Sequence, residues 1–154
     1  MDILKGLNDA QKQSVTTTTG PLLILAGAGS GKTKALTHRI AYLIAEKGVW
    51  PDQILAVTFT NKAAREMRER LSSLIGQQNT RSFMPWMGTF HGICVRLLRI
   101  DGNAIGVPSN FVIYDDDDRQ GLIKQAMKIL SISDKEVKPR TVSLVISNAK
   151  NELV

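Results

Sequence analysis

The segment LLILAGAGSGKT at residues 22–33 has the composition of a phosphate-binding loop. Four apolar residues run into glycine and other small residues, and the segment ends in Lys32 and Thr33. Such a loop lets consecutive backbone N–H groups surround a phosphate, and the N-terminus of a following helix adds positive charge. Lys32 would then reach the β- and γ-phosphates of a nucleoside triphosphate, and the Thr33 hydroxyl would bind Mg²⁺. Lys32 and Thr33 are therefore the candidate catalytic residues, and Thr33 is the candidate metal ligand.

The loop departs from the strict phosphate-loop pattern G-x-x-x-x-G-K-[ST] at its first position, where this chain has Ala26. A glycine-rich turn without a ligand is the alternative interpretation. A turn that ends in Gly-Lys-Thr directly after an apolar run favours nucleotide binding instead. The candidate phosphate-binding residues are Ala26, Gly27, Ala28, Gly29, Ser30, Gly31, Lys32 and Thr33.

Short apolar runs alternate with helical patterns through the first two thirds of the chain. Residues 22–26, 54–57 and 86–88 are predicted as extended segments, and apolar residues at helical spacing follow each of them. Alternating strands and helices predict a parallel sheet with right-handed crossovers. The expected fold class is therefore α/β, with a parallel sheet flanked by helices.

The last third of the chain has a different pattern. Glycine, proline and asparagine residues at 102–110 indicate a loop or linker, and helices are predicted at about residues 116–130 and 141–152. The apolar run FVIY directly precedes four acids, beginning with Asp115. This arrangement has two interpretations: the acids follow a strand and bind the metal of a complete NTPase, or they cap the next helix.

Composition restricts the class of protein. A chain of 154 residues has the length of one ordinary domain, and its net charge of +6 is compatible with a polyanionic partner such as nucleic acid. No apolar run approaches the roughly 20 residues that a membrane span needs, so we expect no membrane association. The N-terminus lacks the pattern of a secretory signal, and the single cysteine, Cys94, cannot form an internal disulfide. We therefore expect a cytoplasmic location, with Cys94 in an apolar helical stripe of the core.

Three further segments carry a resemblance to a known family. They are LNDAQKQSV at residues 7–15, ILAVTFTNKAAREMRERL at 54–71 and GTFHGICVRLLR at 88–99. Together with the glycine loop, and in this order, they resemble the UvrD/Rep/PcrA family of superfamily 1 helicases. The resemblance extends from about Leu7 to the end of the chain. It implies an ATP-dependent enzyme that translocates 3′ to 5′ on single-stranded DNA.

The resemblance adds two residues to the candidate nucleotide site. Gln11 corresponds to the family's glutamine that hydrogen-bonds the adenine edge, and an amide suits this role because it offers a donor and an acceptor. Asn8 would also cap the helix that begins there. Lys34 stands where the family typically has an arginine that stacks on adenine, and an ammonium stacks less well than a guanidinium. The implied cofactors are ATP and Mg²⁺.

The resemblance also implies two DNA-binding segments, one with Phe59, Thr60, Asn61 and Lys62 and the other with Thr89 and His91. Hydroxyl, amide and backbone donors would meet DNA phosphates, and Phe59 would contact a base. The alternative is that Thr60 or Asn61 only caps the following helix and that Phe59 belongs to the core. The expected partners are single-stranded DNA, junctions between single-stranded and duplex DNA, and repair or replication proteins.

The resemblance finally implies a division of the chain. Residues 1–108 would be part of the first RecA-like motor domain, and residues 109–154 would begin a mostly helical inserted subdomain. The family's Asp-Glu box has no counterpart in the chain, and the segment that corresponds to FVIYDDDD opens the inserted subdomain in the family, so Asp115 is not expected to bind metal. We therefore expect an N-terminal portion of the helicase that binds Mg²⁺-ATP weakly and does not hydrolyse it appreciably.

Two other classes of protein remain as alternatives. One is a self-contained small NTPase or kinase built on the same loop. The other is a basic DNA-binding module without catalytic activity, for which the loop lysine would be dispensable.

Overall fold

The computed structural model describes residues 2–76 and 80–153, which belong to two compact units. The first unit is Met1–Ser109 and the second is Asn110–Val154. No helix in these described ranges is long and apolar enough to span a membrane.

The first unit contains helices around a short sheet. Its α-helices are α1 (Asp9–Thr16), α2 (Lys32–Ala45), α3 (Asn61–Ile75), α4 (Thr80–Phe83) and α5 (Phe90–Asp101), and its strands are β1 (Ala56–Thr58) and β2 (Met87–Thr89). Two 3₁₀ turns, Pro51–Gln53 and Gly102–Ile105, precede β1 and follow α5.

The strands β1 and β2 form a parallel pair. Ala56 lies opposite Met87, and Thr58 lies opposite Thr89. Parallel neighbours need a crossover connection, and α3 supplies it here. The prediction of a mixed α/β fold with a parallel sheet is therefore confirmed, with each of these two strands close to its predicted position.

The predicted first strand, residues 22–26, is not a strand in this structure. The exposed fractions of the side chains from Leu22 to Leu25 are 39, 81, 38 and 87%. This alternation has the period of two that an extended chain gives. However, a strand also needs a neighbour whose backbone completes the ladder, and the sheet of the described residues contains β1 and β2 alone.

The core of the first unit lies between α2, α3 and the sheet. Leu71 on α3 is fully buried, and Ala41 on α2 is buried to the same extent. The other members of this cluster are Ile3, Ile40, Ile54, Ala56, Met67, Met84 and Met87. Helix α3 of the β–α–β unit and helix α2, which follows the glycine loop, therefore share one core.

Helix α5 contributes less to the core than its sequence pattern predicts. Ile93 is its buried residue, whereas Leu97 and Ile100 are 42 and 56% exposed. Cys94 is exposed, so the prediction that it belongs to the core is wrong. The apolar stripe of α5 is wider than the face that packs against the sheet.

Polar contacts from α2 fix the N-terminal segment. His38 is buried, and its Nδ1 lies 2.5 Å from the Ile3 carbonyl oxygen. Because a carbonyl can only accept, Nδ1 carries the proton in this contact. Arg39 Nη1 donates to the carbonyl of Ser14 at 2.7 Å and also to that of Thr17. Both ends of the segment that contains α1 are thereby held against α2.

The second unit contains two helices, α6 (Asp116–Ile129) and α7 (Pro139–Glu152), close to their predicted positions. The Asp115 carboxylate accepts from the Asp118 backbone N–H at 2.8 Å, and the Asp118 carboxylate accepts from the Asp115 backbone N–H at 3.2 Å. This capping box confirms the helix-cap interpretation of the acids. The residues directly before it do not form a strand.

We predict that Leu71→Ala lowers the free energy of unfolding by about 2–5 kcal/mol, because it leaves a cavity in a fully packed site. Leu97→Ala, on a partly exposed face, serves as the control and should cost well under half as much. Urea denaturation followed by circular dichroism measures both. Equal losses would show that α3 is not the centre of the core.

Candidate nucleotide and nucleic-acid sites

The glycine loop leads into α2 through two glycines with left-handed backbone. Gly29 has φ +76° and Gly31 has φ +85°, a conformation that side chains rarely allow. Gly31 is the residue before α2, and no side chain caps this helix. The first N–H groups of a helix have no partner within it, so the N-terminus of α2 presents donors beside the loop.

The loop lysine contacts its own loop. Lys32 Nζ donates to the Ala26 carbonyl at 3.0 Å and to the Gly27 carbonyl at 2.6 Å. The Ser30 hydroxyl also donates to the Gly27 carbonyl, at 2.7 Å. The ammonium group thus lies across the loop and uses backbone carbonyls as acceptors.

Gln11 connects α1 to the loop. Its Oε1 accepts from the Asn8 N–H at 3.2 Å, and the Asn8 side chain accepts from the Gln11 N–H at 2.9 Å, which completes a capping box. Its Nε2 donates to the Ser30 carbonyl at 3.0 Å. The structure therefore brings Gln11 to the loop across 19 residues of sequence while also confirming the cap at Asn8.

Lys34 and Thr33 occupy the first turn of α2. Lys34 Nζ donates to the Gly6 carbonyl at 2.6 Å, so its ammonium contacts the segment before α1. Thr33 is half-buried, and its carbonyl accepts from the Thr37 hydroxyl at 3.0 Å. Across residues 2–76 and 80–153 no group of three His, Cys, Asp or Glu side chains is arranged to hold a metal ion. If the Thr33 hydroxyl binds Mg²⁺ as the sequence predicts, phosphate oxygens and water would have to complete the coordination shell.

The two candidate DNA segments emerge side by side from the sheet. Thr58 and Thr89 are paired at the ends of β1 and β2, and α3 and α5 begin immediately afterwards. The Thr60 hydroxyl accepts from the Ala63 N–H at 3.1 Å, and the Thr89 hydroxyl accepts from the Gly92 N–H at 3.2 Å. Both threonines are therefore helix caps, as the alternative interpretation of Thr60 predicted.

The other candidates of these segments are exposed. Asn61, Lys62 and His91 have exposed side chains. Phe59 is 88% exposed, so its assignment to the core is wrong. Its ring lies 5.3 Å from the ring of Phe90, centroid to centroid.

Two arginines outside the candidate segments hold backbone carbonyls next to β2. Arg68 on α3 donates through Nη2 to the Met87 carbonyl, and Arg96 on α5 donates to the Pro85 carbonyl at 2.8 Å. The Arg96 guanidinium also lies 4.9 Å from the centre of the Trp86 ring. Arg68 and Arg96 line a groove of about 280 Å³ together with Asn61 and Thr89. No local sequence signal indicates such contacts, because the acceptors are backbone carbonyls distant in sequence.

The loop, the helix that it leads into and the parallel β–α–β unit are features of the phosphate-loop class of α/β domains. The chain belongs to one family within this class. Its residues 7–154 match the family described as UvrD/REP helicase N-terminal domain.

Two curated relatives are similar to nearly the whole chain. The ATP-dependent DNA helicase PcrA of Staphylococcus aureus strain Mu50 is 53% identical over 151 residues, which cover 98% of this chain and 20% of the relative. The ATP-dependent DNA helicase PcrA of Staphylococcus epidermidis is 52% identical over the same length. The chain therefore spans about a fifth of the length of these relatives.

We predict that Gly31→Ala disturbs the loop more than Gly29→Ala does. Both residues have positive φ, so each alanine costs about 1–2 kcal/mol of backbone strain. A Cβ at Gly31 would lie 2.7 Å from Gln11 Nε2, whereas a Cβ at Gly29 meets nothing within 4 Å. Gly31→Ala should therefore shift the side-chain amide resonance of Gln11, and Gly29→Ala should leave it in place. A similar shift in both variants would contradict the contact.

Proposed function

We propose that this chain is the ATP-binding portion of a DNA helicase that moves 3′ to 5′ along single-stranded DNA. The observation that carries the proposal is the hydrogen bond from Gln11 to the Ser30 carbonyl, because it joins the candidate adenine-binding residue to the candidate phosphate loop. Membership in the UvrD/REP family and the relatives named as ATP-dependent DNA helicases support it.

When phosphate binds, Lys32 would exchange its present hydrogen-bond acceptors for phosphate oxygens. Its ammonium now contacts two neutral carbonyls, and a charged phosphate oxygen is the stronger acceptor. Positions Gly27 and Gly29 have open space around their missing Cβ atoms, which leaves room for a ligand to approach the backbone. We infer that Lys32 turns from the loop carbonyls to the β- and γ-phosphates when ATP binds, and that Thr33 supplies one Mg²⁺ ligand.

The DNA track would run over the ends of β1 and β2. Ligands of parallel sheets bind at the carboxyl ends of the strands, and Phe59, Lys62, Thr89 and His91 are located there. Donors at the start of α3 and α5 would contact phosphates, and Phe59 would contact a base. Junction DNA and proteins of repair or replication are the partners that this function implies.

We assign the first unit to a RecA-like motor domain and the second to a helical insertion, in a cytoplasmic protein. The second unit supports this assignment over a self-contained kinase or NTPase. Its acids are engaged at the N-terminus of α6: Asp115 and Asp118 form the capping box, and Asp116 pairs with Arg119 at 2.7 Å.

We predict that Lys32→Ala weakens Mg²⁺-ATP binding by roughly 10- to 100-fold, since it removes a charge-assisted contact to phosphate. Lys47→Ala, just beyond the C-terminal end of α2, is the matched control and should bind ATP as the parent does. Isothermal titration calorimetry measures both. Unchanged affinity in Lys32→Ala would favour a basic DNA-binding module in which the loop is not used.

We predict that Lys62→Ala weakens binding to oligo-dT and flattens its salt dependence. Each phosphate contact in single-stranded DNA adds about 0.7 to the slope of log K against log salt, so the slope should fall by about that amount. Lys124→Ala, on α6, is the control, because it removes the same charge at a different place. If both variants change the slope equally, binding depends on net charge and not on the end of β1.

A further inference from the structure

Side chains of helix α2 hold the segment that contains α1 at three places. His38 and Arg39 contact its two ends, and Lys34 contacts it in between. Lys34 Nζ donates to the Gly6 carbonyl at 2.6 Å. Because Lys34 and His38 are four residues apart, they lie on the same face of α2. Lys34 is the contact closest to the glycine loop, since it lies in the first turn of the helix.

Lys34 and Gln11 connect the same two stretches of chain. Gln11 Nε2 donates to the Ser30 carbonyl at 3.0 Å, and Ser30 is four residues before Lys34. Gly6 is five residues before Gln11. The two hydrogen bonds therefore close a ring through both stretches. If the bond at Gly6 is lost, the Gln11 amide is the one of these two contacts that is left to hold α1 beside the loop.

The bond from Lys34 is the stronger of the two. A hydrogen bond from a charged donor is shorter and roughly twice as strong as a neutral one, and the two lengths here, 2.6 and 3.0 Å, follow that order. Lys34 is also half-buried, whereas the loop lysine, Lys32, is exposed. The carbonyl that Lys34 contacts is held in place, because Leu7, the next residue, is buried. Lys34 is therefore part of the packing between the loop and α1.

We propose that Lys34 is a positioning residue for the recognition of adenine. Its bond to Gly6 holds α1 in place, and α1 in turn presents the Gln11 amide at the loop. This role differs from the one that the resemblance implies for this position. A side chain that stacks on adenine acts on the base directly, whereas Lys34 acts through Gln11. The inference rests on the proposed function and deepens it, since it names a residue that determines nucleotide specificity without touching the base.

The first test is made without nucleotide and follows the side-chain amide resonances of Gln11. Lys34→Met keeps the length of the side chain and removes the donor, so it should shift these resonances. Lys34→Gln, which is shorter and uncharged, should give the same shift and replaces Lys34→Met if that variant does not fold. Lys34→Arg should leave the resonances close to those of the parent chain, because a guanidinium also donates to a carbonyl.

Lys5→Met is the matched control for this test, since it removes the same charge from an exposed residue next to Gly6. It should leave the Gln11 resonances in place. Unmoved resonances in Lys34→Met, or equal shifts in Lys34→Met, Lys34→Arg and Lys5→Met, overturn the positioning role.

The second test compares the affinities for ATP and GTP, measured by displacement of a fluorescent ATP analogue. The parent chain should prefer ATP, and Lys34→Met should reduce this preference by about 2- to 10-fold, the worth of one neutral hydrogen bond. Lys34→Arg and Lys5→Met should retain the preference. An equal loss in Lys5→Met would be an effect of charge alone and overturns the inference.

A double variant separates action through Gln11 from direct contact with the base. When Gln11→Ala is already present, Lys34→Met should reduce the preference for ATP no further, because the side chain that it positions is gone. Additive losses overturn the positioning role and favour direct contact of residue 34 with adenine. Failure of the parent chain to bind ATP overturns the proposed function and the inference with it, whereas ATP binding without a preference over GTP overturns the inference alone.

Discussion

The pairing of β1 with β2 determines where both candidate nucleic-acid segments lie. Residues 58 and 89 are far apart in sequence, yet their parallel register places the starts of α3 and α5 side by side. A shift of one residue would reverse the faces on which the side chains project. The inner side of the strand pair packs in the core with Ala56, Leu71 and Met87. The packing that stabilises the unit therefore also fixes the position of its exposed edge.

Helix α2 joins the loop to that core. Ile40 and Ala41 pack with residues of α3, while His38 and Arg39 hold the segment of α1. The loop is therefore anchored firmly on its helical side. On the other side the apolar residues before it have no ladder within the described parts of the chain, and their side chains are largely exposed.

Local patterns predicted the described helices other than the short α4, and the positions of β1 and β2, because apolar periodicity and caps act within a few residues. Asn8, Thr60 and Asp115 are caps that the sequence indicated in this way, whereas the cap at Thr89 emerged only from the structure. The strand predicted at residues 22–26 is not formed, since strand formation depends on a neighbouring strand and not on the segment itself. The exposure of Phe59 and the carbonyl contacts of Arg68 and Arg96 likewise arise only after β2 is brought beside β1. For the candidate site, the sequence indicated which residues to consider, but it did not predict the contacts between them.

Lys32 and Gln11 differ in what an incoming nucleotide would offer them. Both already have partners, Lys32 with the carbonyls of Ala26 and Gly27, and Gln11 with Ser30 and Asn8. For Lys32 the proposed exchange would replace neutral acceptors by a charged phosphate, which would be a net gain. For Gln11 it replaces one neutral hydrogen bond by another, so the gain is small, whereas a base of the wrong pattern would leave a polar group unpaired. If the chain binds ATP as proposed, Lys32 would therefore contribute mainly to the affinity for the triphosphate, and Gln11 would contribute mainly to the preference for adenine.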